Sequence, residues 1–279
     1  GVEEAQNLER ASSEEVYLQI ENDLIAASQV LNPFPSQKGR ATSGAAKALL
    51  GKVYLYQGKF QEAANILDEV INSGFYALIP DYNDLFSVMN EGNIETVFDV
   101  EYSGLEGGSY ECLVCLEGNA GPGFNGIRQY NGPIYGDGNS YNLPTQDLYD
   151  EFDSSDPRRE ATILDIDAFI SQQSDPSAIS YAIGAGGHTG YYNNKYIKKQ
   201  GEIGLPDNDL TSPVNYRVIR YADVLLMAAE AHVQGGNIGS AQQYLDLVRS
   251  RAGMPTIPIS GVETIWRERR LELALEGHR

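Results

Sequence analysis

Leu50-Gly51-Lys52-Val53-Tyr54-Leu55-Tyr56-Gln57-Gly58-Lys59-Phe60-Gln61-Glu62-Ala63-Ala64-Asn65-Ile66-Leu67-Asp68-Glu69-Val70 is the stretch on which the fold turns. Leu50, Gly51, Tyr54, Gly58, Phe60, Ala63, Leu67 and Val70 stand at the offsets of a tetratricopeptide helix-turn-helix repeat. Small residues at such positions let two helices approach, large ones fill the space between turns, and Gly58 breaks one helix from the next. Working outward, Thr42 predicts the cap of the first helix, which carries Leu49, Leu50, Val53 and Tyr54 towards a core, and Gly74 stops the second. Upstream, Ser12 and Glu15 form the pattern of a capping box. Val16, Ile20, Leu24, Ala27 and Leu31 follow at helical spacing until Pro33 and Pro35 end the run.

A looser copy of the repeat comes much later. Met227, Ala228, Ala231 and Gly235 occupy its first helix and Ala241, Leu245 and Val248 its second, with one extra residue at the turn. Two separated copies do not make a solenoid, so helices predicted over 13–31 and about 262–276 must complete the stack. Between the helical parts, the segment from Glu95 to Tyr102 alternates with period two, as a half-buried strand does. From Ser103 to Leu143 the chain is rich in Gly, Asn and Tyr, and a loop of that length is usually functional or disordered. Pro144 and Thr145 start a further helix with Thr145 as cap, and Asp156-Pro157-Arg158-Arg159 reads as a turn. A second irregular stretch covers about 175–213, with Tyr191, Tyr192 and Tyr196. The fold class that follows is mostly α, with tetratricopeptide-like hairpins packed against a loop-rich region and few short strands.

Composition excludes several functions. Twenty Lys and Arg against 39 Asp and Glu leave a net charge of −19 across 279 residues, the wrong sign for a nucleic-acid backbone. A 42% hydrophobic fraction is too high for wholesale disorder. Two cysteines make neither a disulfide framework nor a complete zinc site. No run approaches the roughly 18 apolar residues of a membrane span, and nothing at Gly1-Val2-Glu3-Glu4 resembles a signal peptide. The chain reads as a fragment cut at both ends.

Chemistry-bearing motifs are sparse. Cys112 and Cys115 form a CxxC without a second ligand pair, while His188, His232 and His278 stand singly. A structural or incidental role is the better reading, and an oxidising compartment would permit a disulfide. Gly184-Ala185-Gly186-Gly187-His188-Thr189-Gly190 lacks the third glycine of a dinucleotide fingerprint and any following Lys-Ser/Thr, so it reads as a surface loop and no cofactor is expected. Asp223 and Glu230, seven residues apart on one helix face, stand about 10.5 Å apart along the axis. Glycosidase carboxylates need roughly 5–5.5 Å or about 6.5–9.5 Å. Glu268, Glu272 and Glu276, interleaved with Arg267, Arg269 and Arg270, predict a salt-bridged helix surface. No nucleophile–base pairing is evident, and the chain is not expected to be an enzyme.

More informative is the Tyr/Asn/Gly loop. Tyr110, Phe124, Tyr130, Tyr135 and Tyr141 alternate with Asn125, Arg128, Asn131 and Asn139. Sugar rings present apolar C–H faces that stack on aromatics, and their hydroxyls take directional bonds from amide and guanidinium groups. The expected ligand-binding set is Tyr110, Phe124, Arg128, Tyr130, Asn131, Tyr135 and Tyr141, set against the bland alternative that these rings pack the loop onto the helical core.

The chain resembles the SusD/RagB family of glycan-binding outer-membrane lipoproteins. The likeness rests on runs spread over nearly all of it. They include Ala45-Ala46-Lys47-Ala48-Leu49-Leu50-Gly51 through Phe60, Glu95-Thr96-Val97-Phe98, Asp156-Pro157-Arg158-Arg159, Arg220-Tyr221-Ala222-Asp223-Val224-Leu225-Leu226 through Ala231, and Glu268-Arg269-Arg270-Leu271-Glu272-Leu273-Ala274-Leu275-Glu276-Gly277-His278-Arg279. The resemblance implies a single SusD-like domain fragment over 1–279, lacking N- and C-terminal parts of the family domain. Helical units would lie near 42–74 and 220–251, and a loop-rich ligand side near 103–213. It also implies a lipid anchor at the cell surface outside this stretch and a SusC-like TonB-dependent transporter as partner. Three functions compete: glycan capture without catalysis, a tetratricopeptide-type adaptor with an exposed concave helical face, and an acidic glycoside hydrolase.

Overall fold

A Cβ built on Gly51 would stand 2.5 Å from Leu67 Cδ2, so the first hairpin closes to a distance that only glycine permits. The computed structural model describes residues 10–35, 37–105, 111, 117–183, 188–202 and 210–278. Its helices are α1 (Ser13–Val30), α2 (Ser43–Tyr56), α3 (Phe60–Asn72), α4 (Gly121–Asn125) and α5 (Gln146–Glu151). They continue with α6 (Arg158–Thr162), α7 (Ile166–Ser171), α8 (Tyr221–Gln234), α9 (Ile238–Arg251) and α10 (Val262–Leu273). The strands are β1 (Thr96–Val100), β2 (Ile127–Arg128), β3 (Asp137–Gly138), β4 (Ile163–Asp165), β5 (Tyr191–Asn193) and β6 (Tyr216–Arg220).

Local chemistry sets the helix starts. The Ser12 hydroxyl accepts from Glu15 N while the Glu15 carboxylate accepts from Ser12 N, a complete capping box. Thr42 accepts from Ala45 N, and Thr145 from Leu148 N. Gly58 takes φ +71° between α2 and α3. The two predicted hairpins, α2–α3 and α8–α9, lie side by side through α3 and α8. α8 is buried along nearly its whole length, and its Val224, Leu225 and Ala228 share a core with Ala48, Leu67, Val70, Leu245, Val248 and Ile265. α1 and α10 complete the stack against α2 and α8.

Three local expectations are corrected. Val16 and Leu49 are exposed, because each lies off the side of its helix that meets a neighbour. The last helix ends at Leu273 rather than near 276. Leu275 (φ +67°) and Gly277 (φ +78°) turn the chain there and bring Glu276 inside.

β1 pairs antiparallel with β6, placing Asp99 opposite Arg217 and Val100 opposite Tyr216. β2 and β3 run parallel, and β4 pairs antiparallel with β5. The loop-rich half has its own core of Ile127, Tyr130, Tyr135, Leu164, Ile166, Tyr192 and Ile197.

The two halves are joined by charge. Glu268, Glu272 and Glu276 are not a solvated surface, as their spacing suggested, but are buried. Arg158 donates to Glu268 at 2.7 Å and Glu272 at 3.0 Å, and pairs with Asp156 at 2.8 Å. Arg220 reaches Glu276, Glu95 and Glu272 at 2.7, 2.9 and 2.6 Å. Lys195 meets Glu276 at 2.6 Å, Arg249 meets Glu268 at 2.5 Å, and Arg251 joins Glu95 and Glu272. The cations Arg158, Lys195, Arg220, Arg249 and Arg251 thus face the equal number of anions Asp156, Glu95, Glu268, Glu272 and Glu276. Buried ions survive only with such matching, because each one left unpaired costs several kcal/mol. Burial alone would raise the Glu272 pKa, but Arg251, Arg220 and Arg158 outweigh it and hold the carboxyl well below the usual range. Arg267 and Arg270 do behave as surface partners, of Glu151 and of Asp147 and Glu151.

Candidate functional site

The predicted aromatic loop divides into inward and outward rings. Tyr130 and Tyr135 are each 7% exposed. Their rings meet edge to face at 6.2 Å, and Tyr135 packs on Phe169 at 5.1 Å. The Tyr130 hydroxyl donates to Pro133 O at 2.9 Å and that of Tyr135 to Asn194 Oδ1 at 3.4 Å. Burial pushes the Tyr135 hydroxyl up to about 12. These two tyrosines build the core of the loop half, so the expectation that they form an open stacking platform is corrected. Tyr110, Cys112, Cys115 and Gly184–Gly187 lie outside the described residues.

Tyr141 is 60% exposed. Its ring lies 6.0 Å from that of half-buried Phe124, and Tyr141 N donates to Phe124 O at 2.8 Å. Arg128 and Asn131 are exposed on the same loop system. Gln129, Ile134, Ser140 and Asn142 all take positive φ, between 50° and 70°, a strained conformation for residues with a Cβ. Such strain concentrates where a surface is shaped for a ligand.

Next in sequence to this ring pair, Asn125 and Asn142 line a half-open cleft of about 230 Å³. Asn119, Asn193, Tyr216 and Leu275 form other parts of its wall. Most of its amides are committed: Asn119 donates to Val214 O, Asn125 to Tyr196 O and Asn193 to Leu275 O. The Tyr216 hydroxyl donates to Glu276 O at 2.7 Å. Asn142 is exposed at the lip, and left-handed Leu275 forms part of the wall. Asn142, Tyr216 and Leu275 escaped sequence reasoning. The density of asparagine around 119–142 was a usable signal for the first, whereas nothing in Leu275 announces a turn that would make it a cleft residue.

The alternatives find little geometry. Asp223 is fully buried against Arg269 at 2.7 Å, and Glu230 accepts from Trp266 Nε1 at 3.0 Å. They are scaffold contacts, not a pair facing one cleft. The α8 face that an adaptor would need exposed is covered by α3, α9 and α10. Among the described residues no group of three His, Cys, Asp or Glu side chains is placed to hold a metal ion, and no helix is long and apolar enough to cross a membrane.

The sequence model of the SusD family matches residues 68–279. The chain belongs to the SusD family. A SusD-like protein from Bacteroides ovatus is 30% identical over 290 residues, covering 94% of this chain and 49% of that protein. Among solved structures, a laminarin binding SusD-like protein is 41% identical at a TM-score of 0.87, covering 96% of this chain and 60% of the other. Surface glycan-binding protein A from Bacteroides thetaiotaomicron, in complex with laminarihexaose, is 28% identical at a TM-score of 0.87, again covering 96% and 60%. The SusD fold is thus present, while the chain spans only about half to three-fifths the length of these relatives.

Proposed function

We propose that this chain captures an oligosaccharide at a cell surface without altering it. The carrying observation is the exposed Tyr141 ring, backed by half-buried Phe124, beside a cleft whose lip bears the Asn142 amide. An apolar platform next to directional polar groups is what a hydroxylated ring requires. The laminarin and laminarihexaose ligands of the two structural neighbours make a laminarin-type glucan the first ligand to test. Arg128 and Asn131 are proposed as outer polar contacts, and delivery to a SusC-like TonB-dependent transporter in the outer membrane as the downstream step.

Laminarihexaose titrated into the chain by calorimetry tests the reading. Saturable heat that falls in Tyr141→Ala supports it, and absence of heat for laminarihexaose and for a panel of other oligosaccharides sinks it. Release of new reducing ends would overturn the non-catalytic part.

A further inference from the structure

Asp99 and Arg217 stand opposite each other in the β1–β6 ladder and share one of its faces, while Val100 and Tyr216 share the other. The register shifts just before this pair, where Phe98 faces Ile219 and Val218 is passed over on β6. Both charged side chains are buried, Asp99 at 5% and Arg217 at 3% exposure. Opposed residues of an antiparallel pair have Cβ atoms roughly 4.5–5.5 Å apart, within reach of a carboxylate and a guanidinium. The two do not bond: both Asp99 carboxylate oxygens and Arg217 Nη2 are buried without a hydrogen-bond partner. A buried carboxylate in this setting is stable only if it is neutral or if it gains a cation.

The Arg217 guanidinium is committed elsewhere. Nη1 donates to Asn215 O at 2.6 Å and lies 3.9 Å from Glu91 Oε1. Glu91 also accepts from Asn215 N at 2.7 Å. Asn215 is therefore held at both its amide and its carbonyl, and that carbonyl belongs to the peptide leading into Tyr216. On the backbone side, Arg217 N donates to the Tyr196 hydroxyl at 3.1 Å. Tyr196 and Tyr216 both line the asparagine cleft, with their rings 5.6 Å apart. Arg217, on one face of the ladder, thus fixes the backbone from which the cleft wall on the other face is built.

The guanidinium has two places to go. With Asp99 neutral, the carboxyl makes no electrostatic demand on the cation, and Arg217 stays on Asn215 O. With Asp99 ionised, a bare buried anion stands opposite a cation whose Nη2 is free to donate. Burial pushes the Asp99 carboxyl up to about 7. The charged groups acting on it come from each neighbouring segment: Arg217 on β6, Glu101 just after β1, Glu91 ahead of it, and Lys38 between α1 and α2. The glutamates favour the neutral form, and Arg217 and Lys38 favour the ion.

We propose that Asp99 and Arg217 form a pH-dependent positioning pair for the asparagine cleft: ionisation of Asp99 draws the guanidinium off Asn215 O and loosens the Tyr196–Tyr216 wall. Its effect on affinity rests on the glycan-capture reading, whereas the movement itself does not. A sugar that fits the wall as held by Arg217 binds less tightly once that arrangement is depopulated. Laminarihexaose carries no ionisable group, so any change of its affinity with pH originates in the protein.

The test follows the whole chain from about pH 5 to about pH 9 in two ways. Without sugar, the ¹³C resonance of the Asp99 carboxyl and the Tyr196 and Tyr216 amides should titrate together, and the amides should stay still in Asp99→Asn. An Asp99 carboxyl that titrates while both amides stay still, or one that does not titrate in this range, overturns the pair. The wild-type titration needs no variant, so it decides even if Asp99→Asn does not fold. With laminarihexaose, the affinity measured by calorimetry should fall roughly fivefold between about pH 6 and about pH 8.5 and stay level in Asp99→Asn. Measurable binding that is level with pH in the wild type, or that falls equally in the variant, overturns the coupling to the cleft. Absence of binding at every pH removes the glycan reading instead, and leaves the sugar-free titration to judge the pair.

Discussion

Arg158 and Glu272, 114 residues apart in sequence, meet at 3.0 Å with neither side chain exposed to solvent. The contact joins the start of α6 in the loop-rich half to the end of α10 in the helical stack. The loops that shape the cleft are therefore held by the same charges that close the core, since Lys195 and Glu276 belong to that cluster and Leu275 to the cleft wall.

Removing one member of this cluster strands its partners. Glu272→Gln should lower stability by about 3–5 kcal/mol, because Arg158, Arg220 and Arg251 all lose a carboxylate. Chemical denaturation checks it. The sign with pH follows from the depressed Glu272 pKa: its contribution is present above the ordinary carboxylate value of 4.5 and is lost as pH falls below it. Wild-type stability should therefore drop in acid more steeply than that of Glu272→Gln.

Asp99 works in the opposite direction. Burial pushes its carboxyl from 3.8 up to about 7, reinforced by Glu101 and Glu91 and opposed by Arg217 and Lys38. Its protonated form suits the folded state, so stability is lost as pH rises from about 3.8 to about 7. Asp99→Asn removes that loss, on the order of 4 kcal/mol at full effect. Melting temperatures should show the variant stabilised near pH 8 and close to wild type near pH 4. A gain of equal size at both pH values would refute the assignment.

The outward and inward tyrosines should separate cleanly. Tyr141→Ala is expected to weaken laminarihexaose binding roughly tenfold, about 1.4 kcal/mol, with little change in melting temperature. Tyr130→Ala should instead cost about 3–5 kcal/mol of stability through the cavity it leaves. Calorimetry on both variants distinguishes the roles, and a Tyr130→Phe control should retain binding.

Gly51 and Leu67 should be coupled. Gly51→Ala gains up to about 1 kcal/mol in helix propensity but forces a methyl to within 2.5 Å of the Leu67 side chain. A net loss of about 1–3 kcal/mol is expected. Combined with Leu67→Ala, the two costs should add to less than their sum, which a double-mutant cycle measures.

The parts legible in the sequence are those whose causes are local. Ser12, Thr42 and Thr145 cap their helices because the groups they satisfy lie three residues away. The hairpins follow from small and large residues at fixed offsets. Glu268, Glu272 and Glu276 were legible as one helix face, but whether that face meets water depends on Arg158, Lys195 and Arg220, which arrive from elsewhere in the chain. Tyrosine was the hardest residue to read. Its ring suits either a core or a sugar, and Tyr130 found Pro133 O for its hydroxyl while Tyr141 kept its face to solvent. Asn142 and Leu275 come together only through the tertiary fold.

The order of residues in the buried cluster has a bearing on biogenesis. Arg158, Lys195 and Arg220 leave the ribosome before Glu268, Glu272 and Glu276, which complete their neutralisation. Until those glutamates emerge, Arg158 has its pair with Asp156 and Arg220 its pair with Glu95, but the contacts that tie the loop half to the last helix are missing, so the two halves close on each other only after that helix is made.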